Sequence, residues 1–223
     1  MAAAKCRVVV LISGSGTNLQ SLIDQAAVDG ADYEVCAVVS NKADAFGLVR
    51  AREAGINTAQ IDHREFADRR AFDRALMQEI DRHTPELVVL AGFMRILSAD
   101  FVQHYRGRLL NIHPSLLPRY PGLHTHQRAL ASGDREHGAT VHFVTEELDG
   151  GPCIVQAALP INTGDTAEIL AERVQAQEHV IYPLAVCWFA QGRLRMVGDS
   201  AQLDGEPLPR SGKRLGGGQS LNY

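Results

Sequence analysis

The chain has 223 residues, 45% hydrophobic and 22% charged, with a formal net charge of −4, the balance of an ordinary soluble globular protein. No apolar run approaches the ~20 residues that a membrane span needs. No basic block precedes the extreme C-terminal tail, so neither nucleic acid nor an acidic membrane is an expected partner. The length suits one large domain or two small ones and needs no covalent staple. The start "MAAAKCRVVVLIS" has one Lys and no separate cleavage region, so it is not read as a signal peptide. Cys6, Cys36, Cys153 and Cys187 lie in apolar segments without a C-x-x-C pair and read as buried free thiols. Together these features imply the cytoplasm.

The apolar run "CRVVVLIS" opens the chain as a buried strand. Leu19, Leu22, Ile23 and Ala26 then recur at i, i+3, i+4 and i+7, one face of a helix. "YEVCAVVS" is a second strand, "FGLVRAREAG" a helix closed by Gly55, and "NTAQI" a short strand. The spacing predicts a longer amphipathic helix from Arg64 to His83, with Phe72, Leu76 and Ile80 on one stripe. "ELVVLAG" is a fourth strand, Ser98 to Tyr105 a short helix, and "RLLNI" a fifth strand. Short, continuously apolar strands alternating with helices imply a doubly wound α/β fold with a mostly parallel sheet.

The pattern then changes. Two strands, "GATVHFV" and "CIVQAALPI", joined by Thr145 to Pro152, predict a hairpin and so an antiparallel edge on the sheet. A long helix from about Thr166 to Ala190, kinked at Pro183, finishes the fold. The polar, Gly-rich end from about residue 211, "SGKRLGGGQSLNY", reads as a disordered tail. No repeat or linker separates domains. The expectation is one domain over residues 1–197, with 198–223 as a C-terminal extension.

Three stretches carry chemistry. In "LISGSGTNLQ" a glycine turn joins the first strand to the first helix. A dinucleotide fingerprint would need a third glycine where Leu19 stands and an acid at the tip of the second strand, which ends Val39-Ser40-Asn41. A triphosphate loop would need a lysine that is absent. What remains is a compact anion site at a helix N-terminus, made by Gly16, Thr17 and Asn18 and fitting a single phosphomonoester. Thr17 or Asn18 is the expected helix cap; an unliganded strand–turn–helix is the alternative. In "LLNIHPSLLPRYPG", Asn111 and His113 alternate across Ile112 and so share one side of an extended segment that prolines stiffen. They offer an amide donor and a ring whose charge is adjustable near neutral pH, although a histidine at a strand end is as readily structural. "EELDGGP" places Asp149 in a glycine turn, 36 positions after His113. Folded over the same strand ends, it would orient His113 and favour its charged form; as a turn residue alone it would do neither.

Other positions leave alternatives open. Phe93, Met94, Ile96 and Leu97 follow a completed strand and either line a pocket for a flat ligand or pack in the core. His124, His126, His137 and His142 invite a metal, but no usual ligand set is completed and none is expected. Glu178 falls on a stripe with Val174, Ile181 and Ala185, a carboxylate on an inward face that needs a partner, such as a substrate amine or hydroxyl.

The segments "VVLISGSGTNLQSLID", "SNKADAFGLVRAREAGI", "VVLAGFMRILS", "RLLNIHPSLLPRYPGLHTHQRAL", "VHFVTEELDGGP" and "VQAQEHVIYP" together resemble the phosphoribosylglycinamide formyltransferases, a folate-dependent formyltransferase family of purine synthesis. The resemblance runs from about residue 7 to 197. It implies a Rossmann-like formyltransferase fold and 10-formyltetrahydrofolate as co-substrate, with no metal. The N-terminal half would bind the ribonucleotide phosphate, and the C-terminal half would carry the transfer site. The acceptor would be 5′-phosphoribosylglycinamide, and the protein a monomer or homodimer. By resemblance, Asn111, His113 and Asp149 are the catalytic trio. Gly16, Thr17 and Asn18 would hold the acceptor's phosphate, and Gln175, Ala176, Gln177 and Glu178 its ribose and glycinamide. Arg69, Met94, Arg95, Ile96, Leu97 and Asn111, with Thr145, Glu146, Glu147, Leu148 and Asp149, would hold the folate. Two rival enzymes share the "HPSLLP" core: a 10-formyltetrahydrofolate hydrolase and a methionyl-tRNA formyltransferase. A folate- or nucleotide-binding module is the non-enzyme alternative.

Overall fold

A central strand of a parallel sheet has no face left for water, and the first strand obeys that rule: Val8 to Ile12 are fully buried. The computed structural model describes residues 4–215. They divide into two compact units, one up to Asn111 and one from Ile112 onward.

The first unit runs β1 (Cys6–Ile12), α1 (Thr17–Ala26), β2 (Tyr33–Ser40), α2 (Phe46–Glu53), β3 (Asn57–Gln60), α3 (Arg69–Asp81), β4 (Leu87–Leu90), α4 (Ala99–His104) and into β5 (Leu109–His113). All its strand pairs are parallel: β1 with β2 and β4, β2 with β3, and β4 with β5. The expected helix from Arg64 to His83 is interrupted. A short 3₁₀ turn occupies His63–Glu65, and α3 starts only at Arg69, where the Asp68 side chain accepts from Ala71 N at 2.8 Å. That carboxylate satisfies an orphan N–H, and so it sets the helix start. Ser98 likewise caps α4.

The second unit continues with α5 (Thr125–Ala131), β6 (Glu136–Phe143), β7 (Cys153–Pro160), α6 (Ala167–Ala190), β8 (Leu194–Val197), β9 (Ser200–Leu203), β10 (Glu206–Pro207) and β11 (Lys213–Leu215). β6 and β7 form the expected antiparallel hairpin. It is not the edge, because β11 pairs in parallel with the outer side of β7. β11 also corrects the expected tail: residues 213–215 form a strand, and 216–223 lie outside the described residues. β8, β9 and β10 form a separate antiparallel sheet. Its second turn is the dipeptide Asp204-Gly205, both residues at positive φ (55° and 86°), a pairing that favours two-residue hairpins.

In all, eight strands form a mostly parallel mixed sheet in the order β11-β7-β6-β5-β4-β1-β2-β3. Among the described residues no helix is long and apolar enough to cross a membrane. All four cysteines are free. Burial pushes the Cys6 thiol up to about 12 and Cys153 up to about 11, far from the thiolate range that reactivity requires.

Candidate active site

In the first unit the glycine turn is built by close backbone approach. Gly16, at φ 70°, is the N-cap of α1 and offers no side-chain cap, so neither Thr17 nor Asn18 plays the capping role expected of them. They are the first residues of the helix. A Cβ on Gly16 would lie 2.6 Å from Gly47 Cα, and one on Gly47 would lie 2.5 Å from Ile12 Cδ1. The start of α2 thus seats against the turn, and Gly47 N donates to Gly14 O at 3.0 Å. The Arg50 side chain donates from Nε to Ser15 O at 2.9 Å. No acid stands in the first turn of α1. The N-terminal end of a helix dipole, with a guanidinium alongside, is an electropositive environment.

The segment after β4 belongs to the same unit. Met94 and Ile96 are 66% and 62% exposed, so they are not core residues, whereas Arg95 and Leu97 are half-buried. The Arg95 guanidinium lies over the Phe72 ring, 5.8 Å from its centroid. Both ends of the segment are tied: Met94 N donates to Ser13 Oγ at 2.8 Å, and Ser98 N donates to Asp73 Oδ2 at 2.6 Å. Arg69, the first residue of α3, is exposed.

In the second unit His113 is 5% exposed. Its Nε2 lies 2.9 Å from Tyr120 O. A carbonyl only accepts, so Nε2 carries the hydrogen. Its Nδ1 faces Asp149 Oδ2 at 3.5 Å, longer than an ordinary hydrogen bond. Asp149 is held in turn by Gly122 N, which donates to Oδ2 at 2.8 Å. Its backbone is left-handed at φ 53°, a conformation that Asp tolerates better than most residues. Gly151 lets the loop close, because a Cβ there would lie 1.9 Å from Phe143 O. The second carboxylate oxygen faces His142 Nε2 at 3.9 Å, and His142 Nδ1 donates to Phe143 O at 2.8 Å. Burial pushes His142 down to about 4, so this ring is neutral at pH 7. Asp149 therefore stands between two imidazoles. Asn111 is half-buried and lies two residues before His113 on β5, hence on the same side of that strand.

Comparison with known proteins places the chain in a family. A family model described as formyl transferase matches residues 6–186. The chain is 60% identical to phosphoribosylglycinamide formyltransferase of Escherichia coli strain K12 over 205 residues, 92% of this chain and 97% of that protein. The chain belongs to the formyl transferase family. Among solved structures, the phosphoribosylglycinamide formyltransferase of Coxiella burnetii superposes with a TM-score of 0.91 at 53% identity, covering 95% of this chain and all of that one. Glycinamide ribonucleotide transformylase 1 of Symbiobacterium toebii gives 0.87 at 45%, covering 89% and 94%.

Within this formyl transferase domain, Glu178 is buried on the α6 face that also buries Val174, Ile181 and Ala185, as the spacing predicted. Gln175 and Ala176 are exposed and Gln177 is half-buried. In the β6–β7 connection Thr145 is half-buried, whereas Glu146, Glu147 and Leu148 are exposed. The histidines divide differently from the metal pattern they suggested. His137 Nε2 pairs with His126 Nδ1 at 3.2 Å, and burial pushes His137 down to about 4. Among the described residues no group of three or more potential ligands is gathered for a metal.

Sequence reasoning missed the support beneath His113. Thr140 Oγ1 donates to Ser115 O at 2.6 Å and accepts from Leu117 N at 3.1 Å. Gln156 Nε2 donates to Leu117 O at 2.8 Å and to Thr140 Oγ1 at 3.0 Å. Ser115 and Thr140 have no exposure, and Gln156 only 3%. This network pins the backbone that follows His113. Its one sequence signal was the presence of polar Thr140 and Gln156 in otherwise apolar strands.

Proposed function

We propose that the chain transfers the formyl group of 10-formyltetrahydrofolate to the amine of 5′-phosphoribosylglycinamide, giving formylglycinamide ribonucleotide and tetrahydrofolate. The observation that carries the reading is the buried His113–Asp149 pair, 3.5 Å apart, in a chain of the formyl transferase family. The neutral amine attacks the formyl carbon, forming a C–N bond while the bond to the folate nitrogen breaks. Charge develops on the formyl oxygen, so donors must converge there. His113 Nε2 donates to Tyr120 O, so it is the protonated ring, with a second hydrogen on Nδ1, that serves as donor, beside the Asn111 amide. Asp149 orients the ring and, through water, takes the proton leaving the amine for delivery to the folate nitrogen.

In this reading Gly16, Thr17 and Asn18 bind the acceptor's phosphate, and Gln175, Ala176, Gln177 and Glu178 its ribose and glycinamide. The exposed Met94 and Ile96 offer apolar surface to the folate, as does Leu148. Arg69, Arg95, Leu97, Asn111, Thr145, Glu146, Glu147 and Asp149 complete that contact set. Anchoring both substrates supplies orientation, worth several kcal/mol when two molecules must meet (about 7–11 in favourable cases). The chemistry needs no metal, the partners are small molecules, and we assign the protein to the cytoplasm as a monomer or homodimer. The test is release of tetrahydrofolate from 10-formyltetrahydrofolate with and without the acceptor. Release only with acceptor is expected; equal release without it would make the chain a hydrolase.

A further inference from the structure

Ser13 sits just before the glycine turn and does not belong to the residues assigned above to either substrate. Its hydroxyl accepts the Met94 N–H at 2.8 Å and donates to Asn41 Oδ1 at 2.6 Å. Both roles are forced. A backbone N–H can only donate, so the hydroxyl accepts there and has one proton left for Asn41. Ser13 is 4% exposed and Asn41 3%, so water is a poor substitute for either partner. The segment that Met94 opens is tied at its far end to Asp73, itself 1% exposed, while the Met94 and Ile96 side chains stand in solvent. The Met94 and Ile96 side chains do not anchor the segment; backbone tethers at its two ends hold it, and Ser13 is one of the two. The same Ser13 leads directly into Gly14, whose carbonyl is held by Gly47 N.

We propose that Ser13 is a positioning residue that couples occupancy of the glycine turn to the placement of the Met94–Leu97 segment, so that each substrate tightens the other. The inference rests on the functional reading above, in which the turn takes the acceptor's phosphate and the segment takes the folate. A phosphate seated on the turn orders Ser13, and through it the Met94 backbone. The folate then meets a segment whose ordering cost is already met. Thermodynamic linkage makes the effect equal in both directions.

The test uses tetrahydrofolate, which carries no formyl group and gives no turnover. Its dissociation constant is measured by calorimetry on the full chain, with and without saturating 5′-phosphoribosylglycinamide. In the parent protein the acceptor tightens tetrahydrofolate at least about 5-fold, the lower end of ordinary coupling. In Ser13→Ala the tightening falls below about 2-fold, and Ser13→Thr, which keeps the hydroxyl, retains most of it. Asn41→Ala, which removes the hydroxyl's acceptor, also lowers it and serves if Ser13→Ala does not fold. A parent protein that binds both ligands without coupling, or a folded Ser13→Ala with full coupling, overturns the proposal. A parent protein that binds neither ligand overturns the functional reading itself.

Discussion

Replacing Thr140 with valine removes one hydroxyl and keeps the side chain's shape. In the folded protein that hydroxyl satisfies Leu117 N and Ser115 O, both in the loop that follows His113. Thr140 is fully buried, so Leu117 N–H is left without a partner, at about 1–3 kcal/mol. Ser115 O loses its donor, at about 1 kcal/mol more. Gln156 keeps Leu117 O as an acceptor and adds little. The sum, about 2–4 kcal/mol, corresponds to a fall in Tm of roughly 4–16 °C for a chain of this size. Thr140→Ser keeps the hydroxyl and loses only a methyl, at about 1 kcal/mol. Thermal unfolding followed by circular dichroism reads both variants. The valine variant is expected to unfold well below the serine variant and to lose kcat, because the backbone after His113 is no longer pinned. A valine variant as stable as the serine variant would refute the network's role.

Three further outcomes follow from the same geometry. Asp149→Asn keeps an acceptor for Gly122 N and a residue that tolerates left-handed backbone, but removes the charge facing His113; kcat is expected to fall about 100- to 10,000-fold with the fold retained, and near-normal turnover would contradict Asp149's part in catalysis. His137 and His142, each lowered from 6.5 to about 4 chiefly by burial, are neutral when folded and protonate near pH 6.5 when unfolded. Their contribution, of order 3 kcal/mol each, is fully present above pH 6.5 and is lost as the pH falls towards 4; equal urea midpoints at pH 7 and pH 5 would contradict it. Gly47→Ala forces a Cβ to within 2.5 Å of Ile12 Cδ1 and 3.2 Å of Gly16 Cα; steady-state kinetics should show the acceptor KM raised about 10-fold, and an unchanged KM in a folded variant would detach α2 from the phosphate turn.

How legible the molecule was depends on the range of the interactions. β1, β2 and β4 are apolar runs flanked by turn signals, and their burial on both faces was readable from composition alone. The stripe that buries Glu178 was readable from helical spacing. The helix that failed to start at Arg64 was stopped by a local competitor, the Asp68 carboxylate, which the apolar period does not report. β11 was hidden because Lys213–Leu215 has too few residues and too much charge to show a strand pattern; its pairing with β7 is tertiary. The small sheet was signalled by Asp204-Gly205, a two-residue turn easily passed over beside a polar tail. At the site, Asn111, His113 and Asp149 stood out because prolines and glycines bracket them. Gly47, Ser13, Thr140 and Gln156 did not, because each acts on a partner at least 16 positions away in sequence, a distance no periodicity spans.

In the proposed reaction the formyl carbon moves from the folate to the amine of the ribonucleotide. The direct measurement follows an isotope-labelled formyl carbon of 10-formyltetrahydrofolate by NMR during turnover with 5′-phosphoribosylglycinamide. The label is expected in the formamide of the product, one label per tetrahydrofolate released, and His113→Ala is expected to slow its appearance roughly 100- to 1000-fold. Label accumulating instead as free formate would contradict it.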